Sequence, residues 1–326
     1  MNRPSPLIPT IAPLALSADR PFWSVVVPAR NPQPRFLFAA LDSVLEQDPG
    51  TSQMQIEVLD DFSDSIDVAA WVAERYGSRV DVYRGDGHRG MAGNWNAGIN
   101  RARGHWVHIL HDDDMVRPGF YATLRAAIEN RPNLGAAFVF HHIIDDDGSV
   151  LRPCIVPPRP AGIVQDWVED VFVSLKIQAP SIVVRRATYE AVGGFDQSYR
   201  FFVDWEMWQR IVAHFPIWYD PTPLAVYREH NRSTSVVATF SREGVVEMRR
   251  CIEDMRAYLP AAEAEAIIAR VKTHYSGLWM RDVWRGLALT GNLPRALGIV
   301  VEVHRMSSTV QIAGGVREQI RARWGR

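Results

Sequence analysis

From Trp23 to Ile144 the chain alternates short, unbroken apolar runs with segments of helical spacing, and this alternation restricts the fold more than any other feature. Trp23-Ser24-Val25-Val26-Val27 is one such run, stopped by Pro28. A strand that is apolar on both faces must be covered on both, which is the condition of a parallel sheet layered with helices. Phe36 to Gln47 then places Phe36, Leu37, Ala40, Leu41, Val44 and Leu45 at helical spacing. Ile56 to Leu59 reads as a second strand ending in Asp60-Asp61, Asp67 to Tyr76 as a helix, and Val80 to Tyr83 as a third strand. Asn94 to Arg101 forms a short helix after a glycine-rich turn, and Trp106 to Leu110 a fourth strand ending in aspartates. Pro118 suits the first turn of a helix reaching about Asn130. Ala136 to Ile144 is a fifth strand, and Asp145-Asp146-Asp147-Gly148 is its turn. The expectation is an α/β fold, with a Rossmann-like, mostly parallel sheet flanked by helices.

The flanks read differently. Pro4, Pro6, Pro9 and Pro13 keep residues 1–20 from regular structure, so they form an arm, either flexible or packed on the surface. The prolines also interrupt any signal-peptide core. Pro153 to Pro160 reads as a loop, Val164 to Lys176 as a helix, Ser181 to Val184 as a strand, and Arg186 to Val192 as a helix stopped by Gly193-Gly194. Asp204 to His214 is a further helix, and residues 241–326 are helical throughout. Three segments result: the arm 1–20, an α/β domain 21–240 with halves 21–115 and 116–240, and a helical segment 241–326. No apolar run has the roughly 18 residues of a membrane span. A net charge of −1 points away from a nucleic-acid partner, and two cysteines (Cys154 and Cys251) argue against a disulfide scaffold and fit a reducing, cytoplasmic setting.

In open α/β sheets ligands gather beyond the carboxyl ends of the strands. Three polar clusters fall there: Ala29-Arg30-Asn31, Asp60-Asp61, and His111-Asp112-Asp113-Asp114. The aspartate run offers the oxygen ligands that Mg²⁺ or Mn²⁺ require, and reads equally as an acidic turn ahead of a helix. Asp60-Asp61 fits contact with a nucleoside, or a helix cap. Gly85 to Asn94 is glycine-rich and precedes a helix, so it suits either backbone approach to a phosphate or sugar, or a plain turn; it has no Gly-Lys-Ser/Thr ending. Phe201 to Trp208 sets Asp204 and Glu206 among aromatics, where burial would raise a carboxylate's pKa toward general-base work; a helix cap is the alternative role for Asp204. In Tyr227 to Ser233, His230 is a candidate metal or phosphate ligand, or a structural histidine.

Taken in order, these segments resemble the family 2 glycosyltransferases, which have the GT-A fold, from about Trp23 to Ser235. Ser24 to Asn31 is similar to the family's first strand and nucleotide-contacting end, with Pro28, Ala29 and Arg30 at the donor. Val58 to Asp64 resembles the DDxSxD segment, in which an aspartate binds the base, here Asp61 with Asp60 beside it. Gly90 to Gly98 resembles the glycine/asparagine segment, placing Gly90 and Asn94 at the donor, and Ile109 to Asp114 resembles the DXD motif. Gly193 to Asp196, with Asp204 to Arg210, resembles the acceptor-side block that carries the catalytic base, which makes Asp204 the base. Two positions depart from the common pattern: His111 stands where aspartate is usual, and Val203 where a glutamate often precedes the base. The register of the DXD motif is then either Asp112-x-Asp114 or one led by Asp113; the reading taken from the resemblance is metal ligation led by Asp113 with Asp114, Asp112 on the donor side, and His230 completing the metal or phosphate site.

It further implies a metal-dependent, inverting transfer from a UDP-, GDP- or dTDP-sugar to a hydroxyl of a glycan or lipid-linked acceptor, in surface polysaccharide or glycoconjugate synthesis. A degenerate scaffold that binds a glycan or a partner is the non-enzyme alternative. A nucleotidyltransferase fits less well, because Pro28 to Pro32 lacks the glycine-rich loop that class needs. Arg281 to Arg326 holds eight arginines against three acidic residues, with apolar residues interleaved. Such helices pack on the core or on a second copy in a homo-oligomer, or lie on a membrane, in this setting the inner face.

Overall fold

The computed structural model describes residues 6–14, 19–152, 159–165, 168–173, 177–230 and 241–324. The chain divides into two compact units. Residues 1–165, 177–198 and 210–229 form the first, and residues 166–176, 199–209 and 230–326 the second.

The first unit is built on β1 (Trp23–Ala29) and β2 (Met54–Asp60), each buried along its whole length. They pair in parallel, and β3 (Asp81–Arg84) and β4 (Trp106–Ile109) add in parallel on the two outer sides. The crossover helices are α1 (Pro34–Leu45), α2 (Val68–Tyr76) and α3 (Gly90–Arg101). In α1 the buried residues are Phe36, Leu37, Ala40, Leu41 and Val44, the face read from sequence. Asp67 caps α2 by accepting from Ala70 N at 2.9 Å. A Cβ on Gly98 would lie 2.4 Å from Val26 Cγ1, so glycine lets α3 seat directly on β1.

Beyond β4 the order continues through β9 (Ile182–Arg185), β6 (Ala136–Ile144), β10 (Ile217–Arg228) and β5 (Met115–Val116). Short strands β7 (Val150–Arg152) and β8 (Gly162–Ile163) pair with β6 and β10. The long ladders, β1/β2 and β6/β10, are parallel, while β9 inserts antiparallel between β4 and β6. Strand β10 is absent from the sequence reading because Pro221 and Pro223 argue against a central strand. The structure accommodates them at register shifts between Asp220 and Pro223 and between Pro223 and Ala225. Helix α4 (Phe120–Ile128) starts two residues after Pro118, because Gly119 at φ 94° makes the turn. Helix α3 starts at Gly90, ahead of the expected Asn94.

The described part of the arm, residues 6–14, is surface-packed. It lies along the turn after α5 (Arg186–Val192): Gly194 N donates to Pro9 O and Gln197 N to Leu7 O, while Ile11 is fully buried. The loop expected from Pro153 falls largely outside the described residues, as do Cys154 and parts of the helix expected over Val164 to Lys176; within the latter, Val168–Val173 forms a π-helical turn.

The second unit is helical. It contains the start of α6 (Val203–Val212), then α7 (Arg242–Asp254), α8 (Ala264–Thr290), α9 (Leu293–Met306) and α10 (Thr309–Trp324). Helices α8 and α10 touch backbone to backbone: a Cβ on Gly277 would lie 2.3 Å from Gly315 O. Glu302 of α9 is 1% exposed, and Arg242, Arg305 and Arg249 surround its carboxylate at 2.7, 2.7 and 3.6 Å. On the opposite side of α9, Leu293, Leu297 and Val301 are 53%, 55% and 48% exposed, an uncovered apolar stripe at i, i+4, i+8. No helix among the described residues is long and apolar enough to cross a membrane.

Candidate active site

The carboxyl ends of β1 and β2 carry two non-glycine residues in the left-handed region, Asn31 (φ 47°) and Phe62 (φ 63°). Such backbone costs on the order of 1–3 kcal/mol and persists only where contacts hold it. Asn31 N donates to Ser63 Oγ at 2.8 Å, its Nδ2 donates to Asp64 Oδ1 at 2.9 Å, and its Oδ1 accepts from Asp64 N at 3.1 Å and Ser65 Oγ at 2.9 Å. Phe62 stays 41% exposed, with the Arg84 guanidinium 4.7 Å from its ring centre. Pro28 and Ala29 are buried in β1, and Ala29 O accepts from Asp61 N at 2.8 Å.

The two aspartates after β2 do different work. Asp60 accepts from Ser63 N at 2.9 Å and pairs with Arg84 at 2.6 Å, so it braces the loop. Asp61 caps α3: it accepts from Arg89 N at 2.7 Å and Gly90 N at 3.0 Å, placing its charge at the helix's positive end. The amides of the glycine-rich loop at Arg89 and Gly90 are therefore occupied by Asp61. Asp61 also contacts His88 Nδ1 at 2.7 Å, and His88 Nε2 meets Arg30 Nη1 at 2.6 Å. A guanidinium only donates, so Nε2 accepts and the ring carries its proton on Nδ1, toward Asp61. Asn94 is buried, and its Nδ2 donates to Leu59 O at 2.8 Å, tying α3 to β2.

The aspartate run follows β4, aligned by Leu110 N donating to Val26 O. Asp114 is fully buried, and its Oδ1 accepts from Arg228 N at 2.8 Å. Arg228, the last residue of β10, also donates from Nε to Asp113 O at 2.9 Å and from Nη1 to Asp145 O at 2.7 Å. Ligand atoms of His111, Asp113 and Asp114 lie within 4.8 Å of one another. The His111 ring stacks on Trp95 of α3, centroids 5.1 Å apart and planes at 23°. Helix α3 thus joins the two clusters, with Gly90 at Asp61 and Trp95 at His111.

Charge is crowded here. Burial and the neighbouring Asp113 push the carboxyls of Asp112 and Asp114 above the usual range. Burial alone would lower His111, but its contact with Asp114 and the field of the three aspartates win, lifting it to about 9. His111 Nε2 and Asp114 Oδ2 are buried without a hydrogen-bond partner. A buried carboxylate with one unfilled oxygen, a second carboxylate beside it and an adjacent imidazole fit a divalent cation. Asp112 is not in this group, and sequence reasoning missed both His111 as a member and Arg228 as the clamp.

Asp204 and His230 belong to the second unit, and His230 is not part of the His111 group. Asp204 is half-buried in the first turn of α6. Its neighbours are fixed: Trp205 is fully buried and donates from Nε1 to Val171 O at 2.6 Å, and Glu206 accepts from Tyr258 Oη at 2.6 Å. Just ahead of the helix, the Glu247 carboxylate accepts from Arg200 N at 3.0 Å, Phe201 N at 2.6 Å and Phe202 N at 3.0 Å. The segment Asn231 to Ser233 lies outside the described residues.

Residues 24–167 match the model of the family described as Glycosyl transferase family 2. The region belongs to glycosyl transferase family 2. The match holds β1 to β4, Asp61 and the His111–Asp114 turn. The chain is 27% identical over 290 residues to the uncharacterized protein MT1568 of Mycobacterium tuberculosis, covering 83% of this chain and 85% of that protein. It is 36% identical over 115 residues to the succinoglycan biosynthesis protein ExoO of Rhizobium meliloti, covering 35% of this chain but only 31% of ExoO. Among solved structures, S. aureus TarS 1–349 in complex with UDP-GlcNAc superposes with TM-score 0.67 at 16% identity, covering 87% of this chain and 80% of that one. The mannosyltransferase PcManGT of Pyrobaculum calidifontis, in complex with GDP-Man and Mn²⁺, gives 0.56 at 17% identity, covering 95% and 89%. These likenesses establish the GT-A fold.

Proposed function

We propose that this protein is a metal-dependent, inverting glycosyltransferase that moves a sugar from a nucleotide-sugar donor to a hydroxyl of a glycan or lipid-linked acceptor, in polysaccharide or glycoconjugate synthesis. The observation that carries the reading is the joint presence of Asp61 and the His111–Asp113–Asp114 group at the carboxyl ends of β2 and β4. The succinoglycan role in ExoO's name supports the biosynthetic setting.

Asp61, aligned on the α3 N-terminus, takes the nucleoside. Asp60 and Asn94 hold the loops, Arg30 and Gly90 flank the diphosphate, Pro28 and Ala29 supply backbone contacts, and Asp112 borders the donor. A divalent cation on Asp113 and Asp114, with His230 as the further ligand proposed from sequence, would neutralise charge on the departing nucleoside diphosphate. Asp204 takes the proton from the acceptor hydroxyl as its oxygen attacks the anomeric carbon, inverting that centre. Asp204→Asn should abolish sugar transfer while nucleotide affinity, read by calorimetry, stays near wild type; full activity in that variant refutes the assignment. Donor binding in the wild type without turnover of any donor would favour the non-catalytic scaffold.

The stripe Leu293–Leu297–Val301, with the arginine excess of the helices around it, is proposed to seat on an anionic membrane surface, where a lipid-linked acceptor resides.

A further inference from the structure

We propose that Arg242, Arg249 and Arg305 of the second unit form a binding site for the phosphomonoester or diphosphate of a lipid headgroup. The inference rests on the membrane seat proposed above, not on the transfer chemistry, and it names the group that the seat recognises.

Three observations carry it. First, the charge does not balance. Arg242 at the start of α7, Arg249 farther along it and Arg305 in the last turn of α9 converge on Glu302, and among the described residues no other carboxylate lies within ion-pair distance of them. Later acids of α7 are engaged elsewhere: Glu247 with the backbone N–H groups of Arg200, Phe201 and Phe202, Glu253 with Lys272, and Asp254 with Tyr199. Three guanidiniums around one carboxylate leave an excess of positive charge that an anion would relieve. Second, their donors are largely unspent. Arg242 donates from Nε and Nη2, and Arg305 from Nη1, all to Glu302 Oε1, at 2.9, 2.7 and 2.7 Å. Arg249 makes no hydrogen bond among the described residues; its Nη1 lies 3.6 Å from Glu302 Oε2, which is buried without a hydrogen-bond partner. The carboxylate thus fixes two of the guanidiniums and leaves the third open. The three side chains are 58%, 35% and 55% exposed, so a ligand can reach them. Guanidinium forks match phosphate oxygens bidentately. Third, the site borders apolar surface. Leu293, Leu297, Val301 and Arg305 follow at i, i+4, i+8 and i+12, so the exposed stripe runs into the arginines, and Val246, one turn after Arg242, is 38% exposed. A ligand that carries both phosphate and hydrocarbon meets both surfaces, which a free phosphate does not.

The full chain is co-sedimented with phosphatidylcholine vesicles carrying either phosphatidic acid, a phosphomonoester, or phosphatidylserine, a phosphodiester, at matched surface potential. The expected result is binding to phosphatidic acid tighter by about ten-fold or more. In Arg249→Gln, which removes no hydrogen bond from Glu302, that preference should fall to within about three-fold, and Arg305→Gln should act alike. Arg285→Gln is the control: its side chain is 70% exposed and lies outside the triad, so it should weaken both vesicles and leave their ratio intact. Circular dichroism verifies folding of the variants, and the wild-type ratio needs no variant. Equal wild-type binding to the two lipids, or a ratio that survives Arg249→Gln, overturns the phosphate site and leaves the membrane seat standing. Calorimetric binding of inorganic phosphate without any vesicle preference overturns the lipid source. Failure to bind any vesicle overturns the membrane seat itself, and this inference with it.

Discussion

Asn96 offers a direct test of how the first unit is held together. Its side chain makes a two-pronged clamp: Nδ2 donates to Phe195 O at 2.9 Å, and Oδ1 accepts from Phe195 N at 2.7 Å. The partners are 99 residues apart, and both are buried, at 5% and 1% exposure. The clamp ties α3 to the turn Gly193–Asp196, and a Cβ on Gly194 would lie 2.4 Å from Asn96 Oδ1, so the turn closes onto the amide. Asn96→Leu keeps the size and removes both bonds. Phe195 N–H and C=O then lose their partners where water does not reach, at about 1–3 kcal/mol each, or about 2–5 kcal/mol together. With a urea slope of about 2–3 kcal/mol per molar, the midpoint falls by roughly 1–2 M. Tryptophan fluorescence follows the transition. Asn100→Ala is the control: its Nδ2 donates to Asn96 O at 3.0 Å in a half-buried setting, and its loss should cost less than about 1 kcal/mol. An unchanged midpoint for Asn96→Leu, or an equal loss in both variants, refutes the reasoning.

Glu247→Ala removes the acceptor for three backbone N–H groups ahead of Asp204, so turnover should drop by about ten-fold or more, with nucleotide affinity unchanged. A drop in affinity with turnover intact would show that Glu247 does not position the acceptor-side helix. Leu297→Glu removes about 1.5–3 kcal/mol of apolar insertion and adds a repelled charge, so co-sedimentation with anionic vesicles should weaken about ten-fold or more. Equal binding by the variant, or wild-type binding to neutral vesicles alone, counts against a membrane seat. Loss of a wild-type dimer in the variant would assign the stripe to self-association.

Local pattern identifies several elements well. The apolar runs at Trp23, Ile56 and Ala136 are strands because each must be buried on both faces, and they appear as β1, β2 and β6. The helical face of α1 was readable for the same reason, since its spacing alone decides which side turns inward. The motif order from Trp23 onward carried the family, because strand ends and their polar residues recur at set distances along the chain.

What the chain does not encode locally is partnership. The insertion of β9 antiparallel beside β4 depends on strands distant in sequence, and β10 tolerates Pro221 and Pro223 only because its ladder shifts register there. Asp60 and Asp61 are neighbours of identical chemistry, yet one faces Arg84 and the other the start of α3, because successive side chains along extended backbone diverge. His111 looks like a flaw in an aspartate motif until Trp95 is stacked on it and Asp114 set beside it. Arg228 grips that turn from 115 residues away. Sequence by itself determined which elements form, since burial and spacing act within a few residues. Tertiary structure decided which polar groups share one small volume, because hydrogen bonds and ligand sites join atoms that only the folded backbone brings within 3–4 Å.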